Sequence, residues 1–470
     1  MGKEEALKFD KWGYPVNTTS NHCISAINDF YDQVLNYGRK RSIILDAPVH
    51  DESCVLGNTL AAYFSFSSQP SEALSFLQSA KSHYDEATDY EKAVFDAVSC
   101  MISDDMDDDV ALEFHFKLLR DFPKDLSSLK RAQVLCFYMG LPNPSLDLVQ
   151  QVLPENEEEA YIHGMLSFPL LELGQMEEAE RAARKALEIN KQDVWAQHCL
   201  CHVLQHECRF AEAVQFMEDC SPSWSSCSSF MYTHNWWHVA LCYLEGHSPV
   251  AKVLDVYDHR IMREIDRTDA TRPEVYLNAL GLLLRLHIRG QITLFEDRLK
   301  NLAELLTDKS LWYLEWQLDL FILWALTCTD KLPAAQELLK GLKLRVSNMS
   351  DKKQQQFQRG LCLAETIYEY GRGNDERALQ LLGSDFVACD YKAIGASDEQ
   401  IDVFNEVWYI LLLNTGKAAK VIEAIEKRLK TRDGVPFLWR LLEKGYSMMG
   451  REEAARAADK ANHLERIYFQ

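Results

Sequence analysis

The feature of this sequence that most constrains its fold is a recurring pair of short amphipathic helices. The stretch AYIHGMLSFPLLELGQMEEAERAARKALEINK, which begins at Ala160, contains two segments with helical apolar spacing, separated at Gly174. Similar segments follow one another along most of the 470-residue chain, and strand signals are weak throughout. Helices joined by short turns bury their apolar faces by stacking in series. The sequence therefore predicts an all-helical protein.

The helix pairs match the 34-residue pattern of the tetratricopeptide repeat. That pattern needs small residues at positions 8 and 20 and glycine near 15, because the two helices of a hairpin approach closely. In the stretch quoted above, Ser167, Gly174 and Ala179 fall at these three positions. Units that begin at Val194 and Pro436 also fit, and a weaker unit runs through NEVWYILLLNTGKAAKVIEAIEKRL. The predicted fold class is all-α, a tetratricopeptide-repeat-like solenoid of helical hairpins that forms a superhelix.

The quality of the repeats predicts three regions. Residues 1–150 are expected to form divergent N-terminal helical repeats. Residues 151–350 are expected to hold the central tetratricopeptide repeats with a histidine-rich groove, and residues 351–470 the C-terminal repeats with a capping helix. The linkers between helices are short, so none of them marks a clean domain boundary.

Composition excludes several classes of partner and indicates a compartment. The formal net charge is −21 and no basic stripe is present, which argues against nucleic acid and against anionic membranes. No apolar run approaches the ~18 residues of a membrane span, so we expect no membrane insertion. The thirteen cysteines lack a CxxC spacing, which is typical of free thiols in a reducing compartment. The predicted location is the cytoplasm.

Two histidine pairs are the candidate functional residues. WAQHCLCHVLQHE contains His198 and His202, and THNWWHVALCYLEGH contains His234 and His238. Residues four apart share one face of a helix, and the first helices of adjacent repeats lie ~8–10 Å apart. The repeat register places both pairs on the groove-facing stripe. They are therefore expected to face one patch of the concave surface.

The pairs have two interpretations, and a metal site needs a separate assessment. They either line a shared site for a ligand or partner, or they form a packed polar seam. Paired His-x-x-x-His can bind zinc, but neither HCLCH nor HNWWH has the glutamate that follows the first histidine in HExxH. No catalytic carboxylate lies within either motif. The sequence therefore predicts no bound metal and no cofactor.

The residues described so far resemble the tetratricopeptide repeat protein 38 family, as a plant-like member. The resemblance covers most of the chain and follows the same order along it. Its motifs are PVNTTSNHCISAI, YIHGMLSFPLLELGQMEEAERAARKALEIN, DVWAQHCLCHVLQHECRF, HNWWHVALCYLEG, VYDHRI, LNALGLLLRL and DEQIDVFNEVW. It implies a helical, cytosolic protein and leaves the molecular activity open.

Four positions depart from the family pattern, and each departure removes a titratable group. Gln205 replaces Glu, Asn278 replaces Asp, Phe321 replaces His and Ile401 replaces Arg, whereas Asp319 and Asp402 are kept. These changes predict a ligand that is less polar than the family pattern suggests, or a loss of chemistry.

The sequence predicts an interaction or scaffold protein that binds a partner segment or a small molecule in its concave groove. The alternative is an enzyme that uses the histidines for acid–base or metal-assisted chemistry. No nucleophile elbow, P-loop, dinucleotide fingerprint or HExxH occurs, which favours the binding protein. The predicted binding residues are His198, His202, Gln205, His206, His234, Trp237, His238, Asn278, Asp319 and Asp402.

Overall fold

The computed structural model describes residues 7–103 and 107–469, and this part of the chain is almost entirely helical. Its two strands, β1 (Leu7–Phe9) and β2 (Pro15–Asn17), form one short antiparallel pair in which Lys8 lies opposite Val16. The predicted all-α fold class is therefore confirmed. Contacts divide the chain into two compact units.

Unit 1 comprises residues 1–200 and 226–228. Its buried apolar side chains come from consecutive helices, with Tyr31, Leu60 and Val94 in one cluster and Leu129, Val149 and Met165 in the next. Its helices are α1 (Asn21–Leu35), α2 (Asp46–His50), α3 (Val55–Ser65), α4 (Pro70–Ser82), α5 (Asp89–Ile102), α6 (Asp108–Asp121), α7 (Leu126–Met139), α8 (Pro142–Val152), α9 (Ala160–Glu172), α10 (Met176–Ile189) and the first half of α11 (Val194–His206).

Unit 2 comprises residues 201–225 and 229–470. After the second half of α11 it contains α12 (Phe210–Cys220), α13 (Ser229–Glu245), α14 (Val250–Val256), α15 (Arg272–Ile288), α16 (Glu296–Leu305), α17 (Trp316–Cys328), α18 (Leu332–Ser347), α19 (Asp351–Gly371), α20 (Asp375–Leu382), α21 (Asp398–Asn414), α22 (Ala418–Arg428), α23 (Pro436–Met448) and α24 (Glu453–Leu464). Helices α13, α15, α17 and α19 pack one on the next, and α15 also packs against α21.

Short helical turns connect many of these elements. A π-helical turn, Tyr257–Ile261, continues α14. The 3₁₀ turns are Arg41–Leu45, Tyr84–Glu86, Leu153–Glu155, Ser221–Ser226, Met262–Asp266, Ile292–Leu294, Lys309–Leu311 and Ala388–Ile394. Within the described ranges, no helix has both the length and the apolar character needed to cross a membrane.

The hairpin of α9 and α10 shows why the repeat pattern predicts structure here. Gly174 adopts φ +76°, and the N–H groups of Gly174 and Gln175 bond back to the carbonyls of Leu171 and Leu170 at 2.9 Å, which ends α9 in a tight turn. Across the hairpin, the Ser167 hydroxyl donates to the carbonyl oxygen of Ala179 at 2.8 Å. Repeat positions 8, 15 and 20 therefore have the roles that the sequence assigns to them.

The other predicted repeat units also coincide with helix pairs. The units at Val194 and Pro436 begin where α11 and α23 begin, and the weaker unit spans α21 and α22. The two compact units are defined by contacts between residues, whereas the three predicted regions are defined by how well the repeats match the pattern. The division into three regions therefore remains a prediction.

Enlarging a small residue at the α9–α10 interface should destabilise unit 1. The Ala179 side chain is fully buried, so Ala179→Leu forces extra volume between the helices and is expected to cost about 1–3 kcal/mol. Lys185→Leu, on the exposed face of the same helix, is the control and should change stability by about 0.5 kcal/mol or less. Denaturant titration followed by circular dichroism compares them. Equal midpoints for the two variants would contradict the hairpin packing.

Candidate functional site

Three of the predicted histidines meet in the interior of unit 2. His202 lies on α11, and His234 and His238 lie one turn apart on α13. The ring centroids of His202 and His238 are 4.3 Å apart, and those of His234 and His238 are 4.8 Å apart. One ring nitrogen of each histidine lies within 4.8 Å of the corresponding atoms of the other two. We call these three residues the histidine cluster.

The histidine cluster is buried, which corrects the expectation that its members face an open groove. His202 and His238 have no exposed surface, and His234 is 2% exposed. A helical repeat pattern fixes which side of a helix a residue occupies, but not whether a later helix covers that side. Here the side chains of α15 and α21 reach the cluster and take up its hydrogen bonds.

His202 is held by a carboxylate from α21. Its Nδ1 lies 2.5 Å from Oε2 of Glu399, which is in the first turn of that helix after the capping box of Ser397 and Gln400. Burial opposes ionisation of Glu399, but the neighbouring imidazole of His202 outweighs it and lowers the pKa of the carboxyl to about 2. Glu399 is therefore an anion, and Nδ1 of His202 donates to it.

His238 is held by the side-chain amide of Gln205. The Gln205 Nε2 donates to Glu245 at 3.0 Å, so its Oε1 is the atom that faces Nδ1 of His238, 3.1 Å away. Arg432 helps to hold Gln205 in place, because it donates to the backbone carbonyl of Gln205 at 2.7 Å and to the Glu245 carboxylate at 2.8 Å. Since an amide oxygen only accepts, Nδ1 of His238 carries the proton.

His234 is held in the same way by Asn278 of α15. The Asn278 Nδ2 donates to the Thr233 hydroxyl at 2.9 Å and to the Glu274 carbonyl at 3.1 Å. Its Oδ1 therefore faces Nδ1 of His234, at 2.8 Å, and accepts its proton. Burial lowers the pKa of His234 to about 4, so this imidazole is neutral near physiological pH.

A narrow cleft adjoins the histidine cluster. It is formed by side chains of α13, α15, α17 and α21, and its free space is only about 10 Å³, room for about one water molecule. Gly281 leaves room in its wall, because a Cβ there would lie 3.3 Å from the Phe321 ring and 3.6 Å from the Trp237 indole nitrogen. Trp237 also stacks on His234, with ring centroids 5.2 Å apart, so the cleft and the histidine cluster are neighbours.

Four buried polar atoms of the cleft residues make no hydrogen bond within the described part of the protein. They are Nε and Nη1 of Arg285, Nε1 of Trp237 and Oε1 of Gln317. Each of the three side chains is at most 3% exposed. Three donors and one acceptor therefore lie in one small space.

The positive charge of Arg285 is only partly offset. Its Nη2 donates to the Glu399 carbonyl, and its Nη1 lies 3.7 Å from Glu406. That carboxylate already accepts two hydrogen bonds from Arg289, at 2.7 and 2.8 Å. The Asp402 carboxylate is likewise engaged, since it accepts from Arg428 at 3.0 Å.

The structure brings together six of the ten predicted site residues: His202, Gln205, His234, Trp237, His238 and Asn278. His198 is buried on α11 but belongs to unit 1, where its ring stacks on Trp195 at 4.8 Å. His206 is partly buried, and burial lowers its pKa.

Asp319 and Asp402 have other roles. Asp319 accepts the backbone N–H of Tyr313 at 2.9 Å and so fixes the turn before α17. Asp402 accepts from Asn405 at 2.8 Å in addition to its ion pair with Arg428.

Sequence reasoning missed Glu399, Arg285 and Gln317, although each lies in or beside a motif that it examined. Arg285 is seven residues after Asn278, which is two helical turns along the same face. Gln317 is two residues before Asp319, and Glu399 is three before Asp402. The periodicity could have suggested Arg285, but the choice between neighbours in the other two motifs needed the fold.

Removing the His202 side chain should strongly destabilise unit 2. His202→Ala leaves the Glu399 anion buried without its donor, and breaking a buried ion pair costs about 3–5 kcal/mol. His259→Ala is a matched control, because Nδ1 of His259 contacts Asp255 at 2.8 Å with both side chains 66% exposed. That variant should differ from the wild type by about 0.5 kcal/mol or less. Similar losses in chemical denaturation would contradict the buried pair.

The buried Asp319 carboxyl should give a pH dependence of known sign. Burial raises its pKa from 3.8 to about 7. The hydrogen bond from the Tyr313 N–H and the charge of Arg345 lower the pKa, and the charge of Glu315 raises it slightly, but burial has the largest effect. A raised folded-state pKa makes ionisation cost stability, so this cost appears as pH rises from about 4 to 7. Asp319→Asn keeps an acceptor for Tyr313 and should gain on the wild type over that range, by up to ~1.4 kcal/mol per pH unit.

The measurement is the free energy of unfolding of both proteins at a series of pH values. Asp266→Asn, at an exposed position of the same unit, controls for loss of one negative charge. A constant difference between Asp319→Asn and the wild type from pH 4 to 7 would show that the carboxyl is ionised throughout.

Comparison with known proteins assigns this chain to no family. No family model matches the chain, so membership of the tetratricopeptide repeat protein 38 family remains a prediction. Among solved structures, a human IFIT1 dimer with PPP-AAAA is 13% identical, with a TM-score of 0.41 over 93% of this chain and 94% of that one. A monomeric mutant of IFIT1 with Gppp-AAAA is 14% identical, with the same TM-score and coverage. At these identities and TM-scores the likeness carries no conclusion about this chain, and the absence of a nucleic-acid partner remains a prediction.

Proposed function

We propose that this protein is a binding protein of the helical-repeat type whose unit 2 takes up a small, negatively charged molecule in the cleft beside the histidine cluster. The observation that carries the proposal is the set of four buried polar atoms of Arg285, Trp237 and Gln317 that lack a hydrogen-bond partner in the described protein. Burying such groups without partners costs about 1–3 kcal/mol each, and a bound ligand offsets that cost.

The charges around the cleft favour an anion. Arg285 and Arg289 share one carboxylate, that of Glu406, while the nearby Glu399 carboxylate is bonded to His202. The guanidinium of Arg285 has unused donors at Nε and Nη1, and that of Arg289 has one at Nε. A guanidinium N–H donates a strong, charge-assisted hydrogen bond to an oxygen of a carboxylate. A carboxylate or a similar oxyanion is therefore the best match for this end of the cleft.

The remaining atoms indicate the rest of the ligand. The indole N–H of Trp237 offers one more donor, and Oε1 of Gln317 needs a donor from the ligand, such as a hydroxyl or an amine. The free space of about 10 Å³ is far below the ~300–1,000 Å³ typical of sites for drug-sized ligands, so the ligand must be small and side chains must move to admit it. A small hydroxy- or aminocarboxylate meets these requirements better than a protein segment, so we favour the small molecule over the partner segment.

Thermal-shift measurements with matched charged and neutral probes test the proposal. Glycolate, β-alanine and succinate are expected to raise the melting temperature, and glycolamide, the uncharged amide of glycolate, is expected not to. A ligand at 100 times its Kd stabilises the folded state by about 2.7 kcal/mol, which corresponds to a rise of a few degrees. No rise with any small carboxylate at tens of millimolar, or an equal rise with glycolamide, would overturn the proposal.

Gly281→Ala tests the location without removing a polar group. Its new Cβ would lie 3.3 Å from Phe321 and narrow the cleft, and alanine is a better helix former than glycine. The variant should therefore fold normally and lose the response to carboxylates. Gly360→Ala on α19 is the matched control, because its Cβ would also meet an aromatic ring, that of Trp316 at 3.2 Å, outside the cleft. A full response in Gly281→Ala would place the ligand elsewhere.

A further inference from the structure

The hydrogen bonds of the histidine cluster define which ring nitrogen of each imidazole carries the proton. In all three residues Nδ1 donates to a side-chain oxygen: Glu399 for His202, Asn278 for His234 and Gln205 for His238. When such an imidazole carries no second proton, its lone pair is on Nε2. In each of the three residues Nε2 is therefore the nitrogen that can coordinate a cation, in place of a proton.

This arrangement is the one that metal-binding histidines have. A histidine that binds a metal through one nitrogen nearly always donates the other N–H to a carboxylate, a carbonyl or water, which fixes the ring and increases its basicity. Here one acceptor is a carboxylate and two are amide oxygens, and each acceptor is itself anchored. Asn278 is held by Thr233 and Glu274, and Gln205 is held by Glu245 and Arg432.

The distances within the cluster agree with a shared ion. One ring nitrogen of each histidine lies within 4.8 Å of a ring nitrogen of the others. Two nitrogens bound to one tetrahedral zinc at ~2.0–2.1 Å are roughly 3.3 Å apart, so shifts of the order of 1 Å would complete the site. The side-chain carboxyl group of Glu399 lies 2.5 Å from Nδ1 of His202, so an acidic group is placed beside the proposed site.

We propose that His202, His234 and His238 form a binding site for a divalent transition metal, with Glu399, Asn278 and Gln205 as the residues that orient the three imidazoles. Three neutral imidazoles are typical ligands of zinc, and zinc is the ion that they fit best. This revises the expectation of no bound metal. That expectation rested on the missing glutamate of HExxH, whereas the carboxylate that supports the site comes from Glu399, 197 residues after His202. The proposal does not depend on the proposed carboxylate-binding groups of Arg285, Trp237 and Gln317, although Asn278 lines the cleft as well as orienting His234.

The first test uses the wild-type full-length protein and needs no variant. After chelator treatment and gel filtration, the protein is titrated with zinc and, separately, with cobalt. We expect one tight equivalent of zinc by elemental analysis and a melting temperature that rises with zinc concentration. Cobalt bound by imidazoles should give visible d–d bands without the intense near-ultraviolet charge-transfer band of a cobalt–thiolate bond.

The cobalt spectrum separates the histidine cluster from a nearby pair of thiols, Cys201 and Cys242, which are hydrogen-bonded to each other. A thiolate charge-transfer band at one equivalent would overturn the proposal in favour of these cysteines. Zinc that remains below about a tenth of an equivalent after loading and desalting would overturn it altogether.

Variants locate the site. His234→Gln and His238→Gln keep a polar side chain of similar length, and each should lower zinc affinity at least tenfold. Gln205→Leu removes only an orienting acceptor, and loss of such a partner typically weakens metal binding 10–100-fold. His259→Ala removes an exposed histidine and should bind zinc normally. Circular dichroism selects the folded variants, and unchanged affinity in any folded cluster variant would contradict the proposal.

The proposal of a metal site and the proposal of a carboxylate-binding cleft can be disproved independently of each other. Gly281→Ala should bind zinc like the wild type while losing the response to glycolate, and His238→Gln should lose zinc. Zinc binding without a carboxylate response would leave the metal site standing and remove the proposed function. A carboxylate response without zinc binding would do the opposite.

Discussion

The three imidazoles buried among the helices of unit 2 each require a hydrogen-bond acceptor from a neighbouring helix, and this requirement constrains how those helices pack. Each ring has an Nδ1–H that needs an acceptor in a space closed to bulk water, and an unmet donor there costs about 1–3 kcal/mol. Apolar helix faces cannot supply these acceptors. They come from Gln205 on α11, Asn278 on α15 and Glu399 on α21, so the positions of these helices relative to α13 are coupled to the histidine cluster.

The coupling extends beyond the first acceptors. Gln205 can present its oxygen to His238 only because Glu245 occupies its amide nitrogen, and Glu245 is tolerated in the interior only because Arg432 neutralises it. Arg432 lies just before α23, far along the chain from α11. A chain of polar contacts thus joins the central and C-terminal helices of unit 2, in addition to the apolar stacking expected for helical repeats.

The sequence was sufficient to predict those features that depend on residues close together in the chain. Ser167, Gly174 and Ala179 fulfil their repeat roles because hairpin geometry depends on residues fewer than fifteen positions apart. The histidine pairs were also recognised correctly as members of one group in the case of His202, His234 and His238. A spacing of four on one helix and the adjacency of two helices are both contained in the repeat register.

The features of the site that could not be predicted from the sequence depend on contacts between residues far apart in the chain. Burial of the histidine cluster follows from side chains of α15 and α21, and no local pattern reports that a later helix covers a given face. The same reason explains Asp319 and Glu399. Both are acidic residues near a helix start, but one accepts a backbone N–H of its own turn and the other reaches His202 from 197 residues away.

The amides at positions 205 and 278 have a consequence opposite to the one that the departures from the family pattern suggest. Loss of titratable groups suggested a less polar ligand. In the structure, Gln205 and Asn278 accept Nδ1–H bonds just as carboxylates would, but they add no negative charge to the interior. Glutamate and aspartate there would bring two more anions near the only partly offset guanidinium of Arg285 and repel an incoming carboxylate. With amides, the rings remain oriented and the positive potential of the cleft persists. A neutral pair of acceptors next to one partly unpaired arginine therefore makes this interior better suited to an anion.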